Sequence, residues 1–168
     1  MPKIIENLEA HLISEAKKQI EQNGYGAVTI RSIAKGCGVG VGTVYNYFPS
    51  KEALVATHLL EDWKNCVNVI QQDADCAREP EPVLRSMYQQ LVDFASRHQA
   101  VFQDEAAASS FAGSFSQYHD LLRSQLAKPL RKFCDSDFAS QFVAEGLLTW
   151  SMAGKPFEEI YELLKKLF

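Results

Sequence analysis

The sequence lacks the features that mark exported and membrane-anchored proteins. No run of apolar residues approaches the roughly 18–20 that a helix needs to span a bilayer. The N-terminal residues 1–6 become charged too early for a signal peptide. We therefore expect a cytoplasmic protein that makes no contact with a membrane.

Patterns typical of cofactor, metal and catalytic sites are also missing. The four cysteines form no Cys-x-x-Cys pair, and they are too scattered for the disulfide framework of a small domain. The four histidines show no paired spacing with cysteine or acidic residues that would indicate a metal site. No Ser/His/Asp or Cys/His arrangement is legible. We expect no catalytic residues, no metal and no cofactor, and hence a protein that is not an enzyme.

Alternating glycines between residues 36 and 42 superficially resemble a loop that cradles phosphate. No Gly-Lys-Ser/Thr follows them, however, and no strand precedes them. The pattern therefore excludes a nucleotide site of that kind and leaves these glycines available for turns.

Charge is distributed unevenly along a chain of otherwise ordinary globular composition, with 46% hydrophobic and 23% charged residues. The net charge is −4. Residues 1–51 nevertheless carry six lysines and arginines against four acidic residues, whereas the remainder carries 11 against 17. This asymmetry indicates a polyanion-binding N-terminal end.

Apolar residues recur at helical spacing almost throughout, and no alternating β-branched run is long enough for a strand, so we predict an all-α fold. A first helix is predicted over residues 2–22 and a second, with Thr29 as its N-cap, through Lys35. Gly36-Cys37-Gly38 is predicted to be a turn, followed by a third helix over Val41–Tyr47. Further helices are predicted over residues 52–73, 83–98, 100–111, 115–133 with a kink or split at Lys128-Pro129, 136–153 after a Ser136 cap, and from Pro156 onwards.

Two short helices joined by a glycine-containing turn are typical of a helix-turn-helix, whose second helix enters the major groove of DNA. The inward positions that would hold the two helices together are Ile30, Ile33, Ala34, Val39, Val44 and Phe48. The outward positions of the second helix offer hydroxyls, an amide and bare backbone, all of which can bond to phosphates or base edges.

These residues resemble the DNA-binding signature of the TetR/AcrR family. The resemblance covers roughly residues 4–55 and includes Thr-Ile-Arg-Ser-Ile-Ala-Lys over 29–35 and Gly-Thr-Val-Tyr-Asn-Tyr-Phe-Pro-Ser-Lys-Glu-Ala-Leu over 42–54. It implies a three-helix DNA-binding domain over 1–51 and a larger helical ligand-binding and dimerisation domain over 52–168. The DNA-binding residues that it implies are Thr29, Gly42, Thr43, Tyr45, Asn46, Tyr47 and Lys51. Of these, Asn46 is the candidate for sequence preference.

Two departures from the family pattern lie at the start of the third helix. The family usually places Ser or Thr where this chain has Gly40, and often a polar residue where it has Val41. Glycine is a weaker N-cap than serine by a few tenths of a kcal/mol, and valine can contact a thymine methyl but cannot donate to guanine. We therefore expect affinity or base preference to differ from the family norm.

The second region contains apolar residues in excess of what one core needs. Those expected to line a pocket for a small apolar or planar ligand, with ordinary core packing as the alternative, are Trp63, Phe94, Phe111, Phe115 and Tyr118. The last two helices are the expected dimer interface, through Phe138, Phe142, Leu147, Leu148, Trp150, Met152 and the apolar residues of 157–168.

The resemblance implies a homodimeric repressor that leaves a palindromic operator when its ligand binds. One alternative is an activator, or a regulator controlled by a partner protein, with the same DNA-binding domain. Another is a helical small-molecule-binding protein or enzyme that retains a vestigial helix-turn-helix. Steep salt dependence of duplex binding separates the last from the others, because phosphate contacts release counterions.

Overall fold

The computed structural model describes residues 7–168, except for the side chain of Phe115. The helices are α1 (Leu8–Asn23), α2 (Ile30–Cys37), α3 (Val41–Tyr47), α4 (Lys51–Cys76), α5 (Pro80–Arg97), α6 (Gln99–Phe102), α7 (Glu105–Phe111), α8 (Phe115–Leu130), α9 (Asp137–Met152) and α10 (Phe157–Leu164), with short 3-10 segments at Ala112–Ser114 and Lys165–Leu167. Residues 7–168 contain no strand. The predicted all-α fold is confirmed. None of the described helices combines the length and the apolar character needed to cross a bilayer.

Contacts divide the chain into two units, and the first comprises residues 1–61 and 98–112. Within it α1 packs on α2, and α2 packs on α3. The side chains of Leu12, Ile33 and Val44, one from each helix, are fully buried. The helix-turn-helix is therefore built on its own small core, to which residues 98–112 also contribute through Val101 and Ala107.

The second unit comprises residues 62–97 and 113–168. Here α9 packs against α8, α5 and α10, and its Val143, Ala144 and Leu147 are fully buried. Helix α4 contributes residues to both units, so the predicted domain boundary between residues 51 and 52 stays a prediction.

Most predicted helix ends lie within three residues of those in the structure, but several predictions in detail were wrong. α2 continues through Cys37, so the turn begins at Gly38 rather than Gly36. The predicted helix over 100–111 is two helices, because Asp104 acts as the N-cap of α7 and ends the continuity with α6. α8 ends at Leu130, one residue past Pro129. The predicted start of the first helix lies outside the described residues, and within them α1 begins at Leu8.

Candidate nucleic-acid interface

Helix α2 begins at a two-way capping arrangement. The Thr29 Oγ1 atom accepts a hydrogen bond from the Ser32 backbone N–H at 3.0 Å, and the Ser32 Oγ atom accepts one from the Thr29 backbone N–H at 3.0 Å. Two N–H groups that the helix itself leaves unpaired are thereby satisfied. The predicted Thr29 cap is confirmed, while its contact with a phosphate stays a prediction.

The corner between α2 and α3 depends on Gly38. Its φ of 67° and ψ of 30° place it in the left-handed region, which residues that carry a Cβ atom rarely adopt. The following Val39 N–H donates to Ala34 O at 3.0 Å, which closes the end of α2. This conformation lets the chain leave α2 and enter α3 within three residues.

Helix α3 presents two distinct faces. Val44 and, at the C-cap, Phe48 are buried in the first unit. The three residues between them are exposed, with Tyr45 at 53% and Tyr47 at 47% of their full accessible surface. Because two exposed tyrosines lie close together on one short helix, this exposed face is a candidate binding surface.

The remaining residues predicted on this helix are also placed by the structure. Gly42 is exposed, and Thr43 is half-buried. Gly40 is the N-cap and supplies no side-chain hydrogen bond, as expected, so the first turn of α3 is held by backbone bonds such as Thr43 N to Gly40 O at 3.0 Å. Val41 is exposed beside it. Their roles toward DNA stay predictions.

Lys51, the first residue of α4, has an intramolecular partner that sequence reasoning missed. Its Nζ atom donates to Tyr25 O at 3.0 Å and lies 3.9 Å from the centroid of the Tyr25 ring. The ammonium is therefore fixed against the turn between α1 and α2 by a hydrogen bond and a cation–π contact. Its predicted contact with phosphate remains untested.

Tyr25 connects that turn to the start of α4. The side chain is fully buried, and its hydroxyl donates to Glu52 Oε1 at 3.2 Å. Burial raises the pKa of the Tyr25 hydroxyl. The pKa of Glu52 is held below its ordinary value, chiefly by a hydrogen bond from its own backbone N–H and further by the hydroxyls of Ser50 and Tyr25.

The residues predicted to line a ligand pocket are divided between the two units. In the second unit, the buried Trp63 and Phe94 rings meet edge to face at 5.4 Å, and Trp63 Nε1 donates to Gln125 Oε1 at 2.6 Å. Tyr118 in that unit is half-buried. In the first unit, the Phe111 ring packs 6.0 Å from Tyr25. The side chain of Phe115 lies outside the described residues, and a pocket formed by this set stays a prediction.

Sequence reasoning missed that two of the histidines lie together. The rings of His58 and His98, both in the first unit, meet edge to face with centroids 5.1 Å apart. Imidazole is a common metal ligand, and Asp62 follows His58 by one turn of α4. The expected absence of a metal stays a prediction, and this pair is the first place to test it.

Part of the predicted dimer interface is buried within the second unit. Leu147, Leu148 and the Phe157 side chain are buried in their own chain. The apolar residues of α9, α10 and the stretch after α10 that remain exposed are Phe138, Phe142, Trp150, Met152, Leu163, Leu167 and Phe168. The exposed apolar surface of this unit is thus concentrated at its C-terminal elements.

Comparison with known proteins agrees with this geometry. The family model described as "Bacterial regulatory proteins, tetR family" matches residues 12–57. The HTH-type transcriptional regulator YhgD of Bacillus subtilis is 34% identical over 112 residues, which cover 60% of this chain and 54% of YhgD. The aligned region thus spans about half the length of that curated relative.

Two solved structures share the fold over nearly the whole chain. The putative transcriptional regulator SCO7518 of Streptomyces coelicolor has a TM-score of 0.72 at 15% identity, covering 94% of this chain and 96% of its own. FadR of Thermus thermophilus, a TetR-family transcriptional repressor in complex with lauroyl-CoA, has a TM-score of 0.65 at 20% identity, covering 95% and 92%. At these identities the likeness shows the fold alone.

Proposed function

The chain belongs to the TetR family of bacterial regulatory proteins, and on that premise we propose that it is a homodimeric transcriptional repressor. In this proposal two copies of α3 occupy successive major grooves of a palindromic operator, and a small apolar or planar ligand releases them. Because the operator is chromosomal DNA, the protein acts in the cytoplasm.

The exposed face of α3 carries this proposal. Tyr45, Asn46 and Tyr47 project from a helix whose opposite side, through Val44 and Phe48, is anchored in the core. The hydroxyls can donate to phosphate oxygens, and the Asn46 amide can pair with the N6 and N7 atoms of adenine. A rigid helix with adjacent groups for backbone and base contacts is what direct readout requires.

Selection of bound duplexes from a random pool tests the proposal. One recognition helix contacts too few bases to be selective, so a dimer is expected to enrich a palindrome with half-sites about one helical turn apart. Recovery of no enriched sequence, together with no duplex binding at low ionic strength, overturns the proposal. An enriched sequence without two-fold symmetry overturns the dimer geometry.

Substitutions within α3 assign the roles of its residues. Tyr47→Ala is expected to weaken binding to every duplex, whereas Asn46→Ala is expected chiefly to change which sequence is preferred. Tyr47→Phe removes the hydroxyl and keeps the ring, so weaker binding by this variant as well assigns the effect to the hydroxyl. Unchanged binding by both alanine variants contradicts the assignment of this face to DNA.

The exposed apolar residues of the second unit support self-association. Phe138 is 75% exposed and Phe142 is 54% exposed, and their rings lie 6.2 Å apart on α9. In the family fold the last helices of two copies pack as a four-helix bundle. Phe142→Glu is expected to give a monomer in sedimentation with much weaker operator binding, while Gln72→Glu, which adds the same charge on the exposed side of α4, leaves the dimer intact.

Release by a ligand is the second half of the proposal. It requires a ligand that prefers the conformation unable to bind DNA. The structural neighbour FadR is in complex with lauroyl-CoA, so acyl-CoA thioesters are the first probes to titrate against the protein–operator complex. Release by a thioester but not by free coenzyme A identifies the acyl chain as the recognised group, and no release by any apolar probe removes this half of the proposal.

The rival functions are separated by two further measurements. Footprinting relative to a promoter distinguishes a repressor, whose site overlaps the promoter, from an activator that binds upstream. A binding constant that falls steeply with salt supports a working phosphate interface, because each neutralised phosphate releases counterions. A vestigial helix-turn-helix gives a flat salt dependence.

A further inference from the structure

Helix α7 holds the turn that precedes the helix-turn-helix, although it lies almost 80 residues later in the sequence. At the beginning of α7, the Gly26 backbone N–H donates to Asp104 Oδ2 at 3.1 Å. At its end, the Phe111 ring packs against the buried ring of Tyr25 at 6.0 Å. Both contacts lie within the first unit. The turn between α1 and α2 is therefore attached to α7 at two points.

The Asp104 carboxylate uses its two oxygens for different tasks. Oδ1 accepts hydrogen bonds from the N–H groups of Ala106 at 2.9 Å and Ala107 at 3.2 Å, which makes Asp104 the N-cap of α7. Oδ2 accepts the bond from Gly26. These backbone donors, Gly26 foremost, hold the pKa of Asp104 below its ordinary value. The residue stays ionised at neutral pH and can fill both roles at once.

Close packing at Gly26 accompanies the hydrogen bond. A Cβ atom built on Gly26 meets the Cβ of Ala106 at 3.5 Å, an ordinary van der Waals contact, so the start of α7 lies directly against the turn. Three residues after Gly26 the chain reaches Thr29, whose cap begins α2. The position of the turn thus decides where α2 begins and, through the Gly38 corner, where α3 points.

We propose that Asp104 is a positioning residue for DNA binding: by fixing the Gly26 N–H, it holds the turn before α2 in the conformation that presents α3 to the groove. The inference rests on the proposed function. Asp104 does not itself contact DNA in this proposal, and it acts through the backbone of residues 25–29. Loss of the bond leaves the turn with more conformations, so the fraction of molecules with α3 correctly placed falls.

Substitutions can separate the role of Asp104 as the N-cap of α7 from its hydrogen bond to Gly26. Serine is as good an N-cap as aspartate, but its side chain is one heavy-atom bond shorter and has a single oxygen, so Asp104→Ser retains the cap and loses the bond to Gly26. Asp104→Ala loses both. Asp75→Ser is the matched control, because it removes the same charge from the other unit, where Asp75 Oδ1 accepts a hydrogen bond from Gln71 Nε2 at 2.7 Å.

The test measures duplex affinity across a salt series, together with hydrogen exchange of the Gly26 amide by NMR, in the full-length protein. For Asp104→Ser we expect faster Gly26 exchange and a loss of affinity on the order of twofold to tenfold, the equivalent of one net hydrogen bond. The slope of the salt dependence should stay unchanged, because no phosphate contact is lost. Asp75→Ser should leave both readouts at their wild-type values.

Three results overturn the inference. They are wild-type affinity in Asp104→Ser, tighter binding in that variant, and Gly26 exchange that does not change when the carboxylate is removed. If the wild-type protein itself binds no duplex, the proposed function fails first. The exchange of the Gly26 amide in Asp104→Ser still shows whether Asp104 holds the turn.

Discussion

Thr29 offers a way to separate the stability of the helix-turn-helix from its contact with DNA. Its hydroxyl oxygen accepts the Ser32 N–H at 3.0 Å, and because this bond does not use the hydroxyl proton, the proton is available to a phosphate. Thr29→Ala removes the cap and the donor together. From the cap alone we expect a loss of about 1 kcal/mol in the free energy of unfolding, which lowers Tm by about 2–4 °C in a chain of this size.

Aspartate and asparagine at the same position isolate the second role. Both are N-caps at least as good as threonine, and the negative charge of aspartate is further favoured at a helix N-terminus. Thr29→Asp should therefore unfold within about 0.5 kcal/mol of the wild type. It should also bind duplex about tenfold more weakly or worse, because the loss of a hydrogen bond to a charged phosphate is compounded by repulsion. Thr29→Asn keeps a donor and should bind like the wild type.

Urea unfolding and fluorescence anisotropy with a labelled selected duplex measure the two quantities. Tight binding by Thr29→Asp at low salt would refute the placement of this residue beside the DNA backbone. Wild-type unfolding of Thr29→Ala would refute the contribution of the cap. Either result can occur without the other, so the cap and the contact with DNA are tested independently.

Three further predictions concern the cores and the pH dependence. Ile33 on α2 is fully buried, so Ile33→Val should lower the free energy of unfolding by about 0.5–1.5 kcal/mol and Ile33→Ala by about 2–5 kcal/mol, measured by urea unfolding. The pKa of Glu52 is lower in the folded protein than its ordinary value of 4.5, so the ionised carboxylate stabilises the fold above pH 4.5 and this contribution is lost as the pH falls further. Urea unfolding repeated at pH values below 4.5 should therefore show a smaller loss of stability with acid for Glu52→Gln than for the wild type. Trp63→Phe should lower the unfolding free energy by about 1–3 kcal/mol, because the Gln125 amide loses its partner, and a denaturation curve that matches the wild type would contradict this.

Elements of the fold that depend on local chemistry were predictable from the sequence. α3 spans Val41–Tyr47 as predicted, because a glycine able to adopt positive φ precedes it and Phe48-Pro49 ends it. The caps at Thr29 and Ser136 were found for the same reason, since a hydroxyl residue directly before an apolar repeat satisfies N–H groups that the helix cannot. These signals lie within four residues of the structure that they determine.

Contacts between distant segments were not predictable in this way. Asp104 is of a residue type that begins helices, so the break between α6 and α7 had a signal that the surrounding run of alanine obscured. That its second oxygen reaches Gly26 had no signal, because helical periodicity states which face is apolar but not which segment covers it. For the same reason the sequence could not show that Phe111 packs on Tyr25 and Trp63 on Phe94.

Lys51 shows why local sequence signals and contacts between distant segments must both be known before a DNA-binding defect is interpreted. An ammonium has three donors, and one of them is given to Tyr25 O, so contact with a phosphate and attachment to the turn are compatible. Loss of Lys51 removes both, and Lys51→Ala should weaken binding whichever role matters more. Only the salt dependence distinguishes them: its slope falls by about one if an ion pair with phosphate is lost. If it is unchanged, then Lys51 acts as Asp104 is proposed to act, by holding the turn that aims α3.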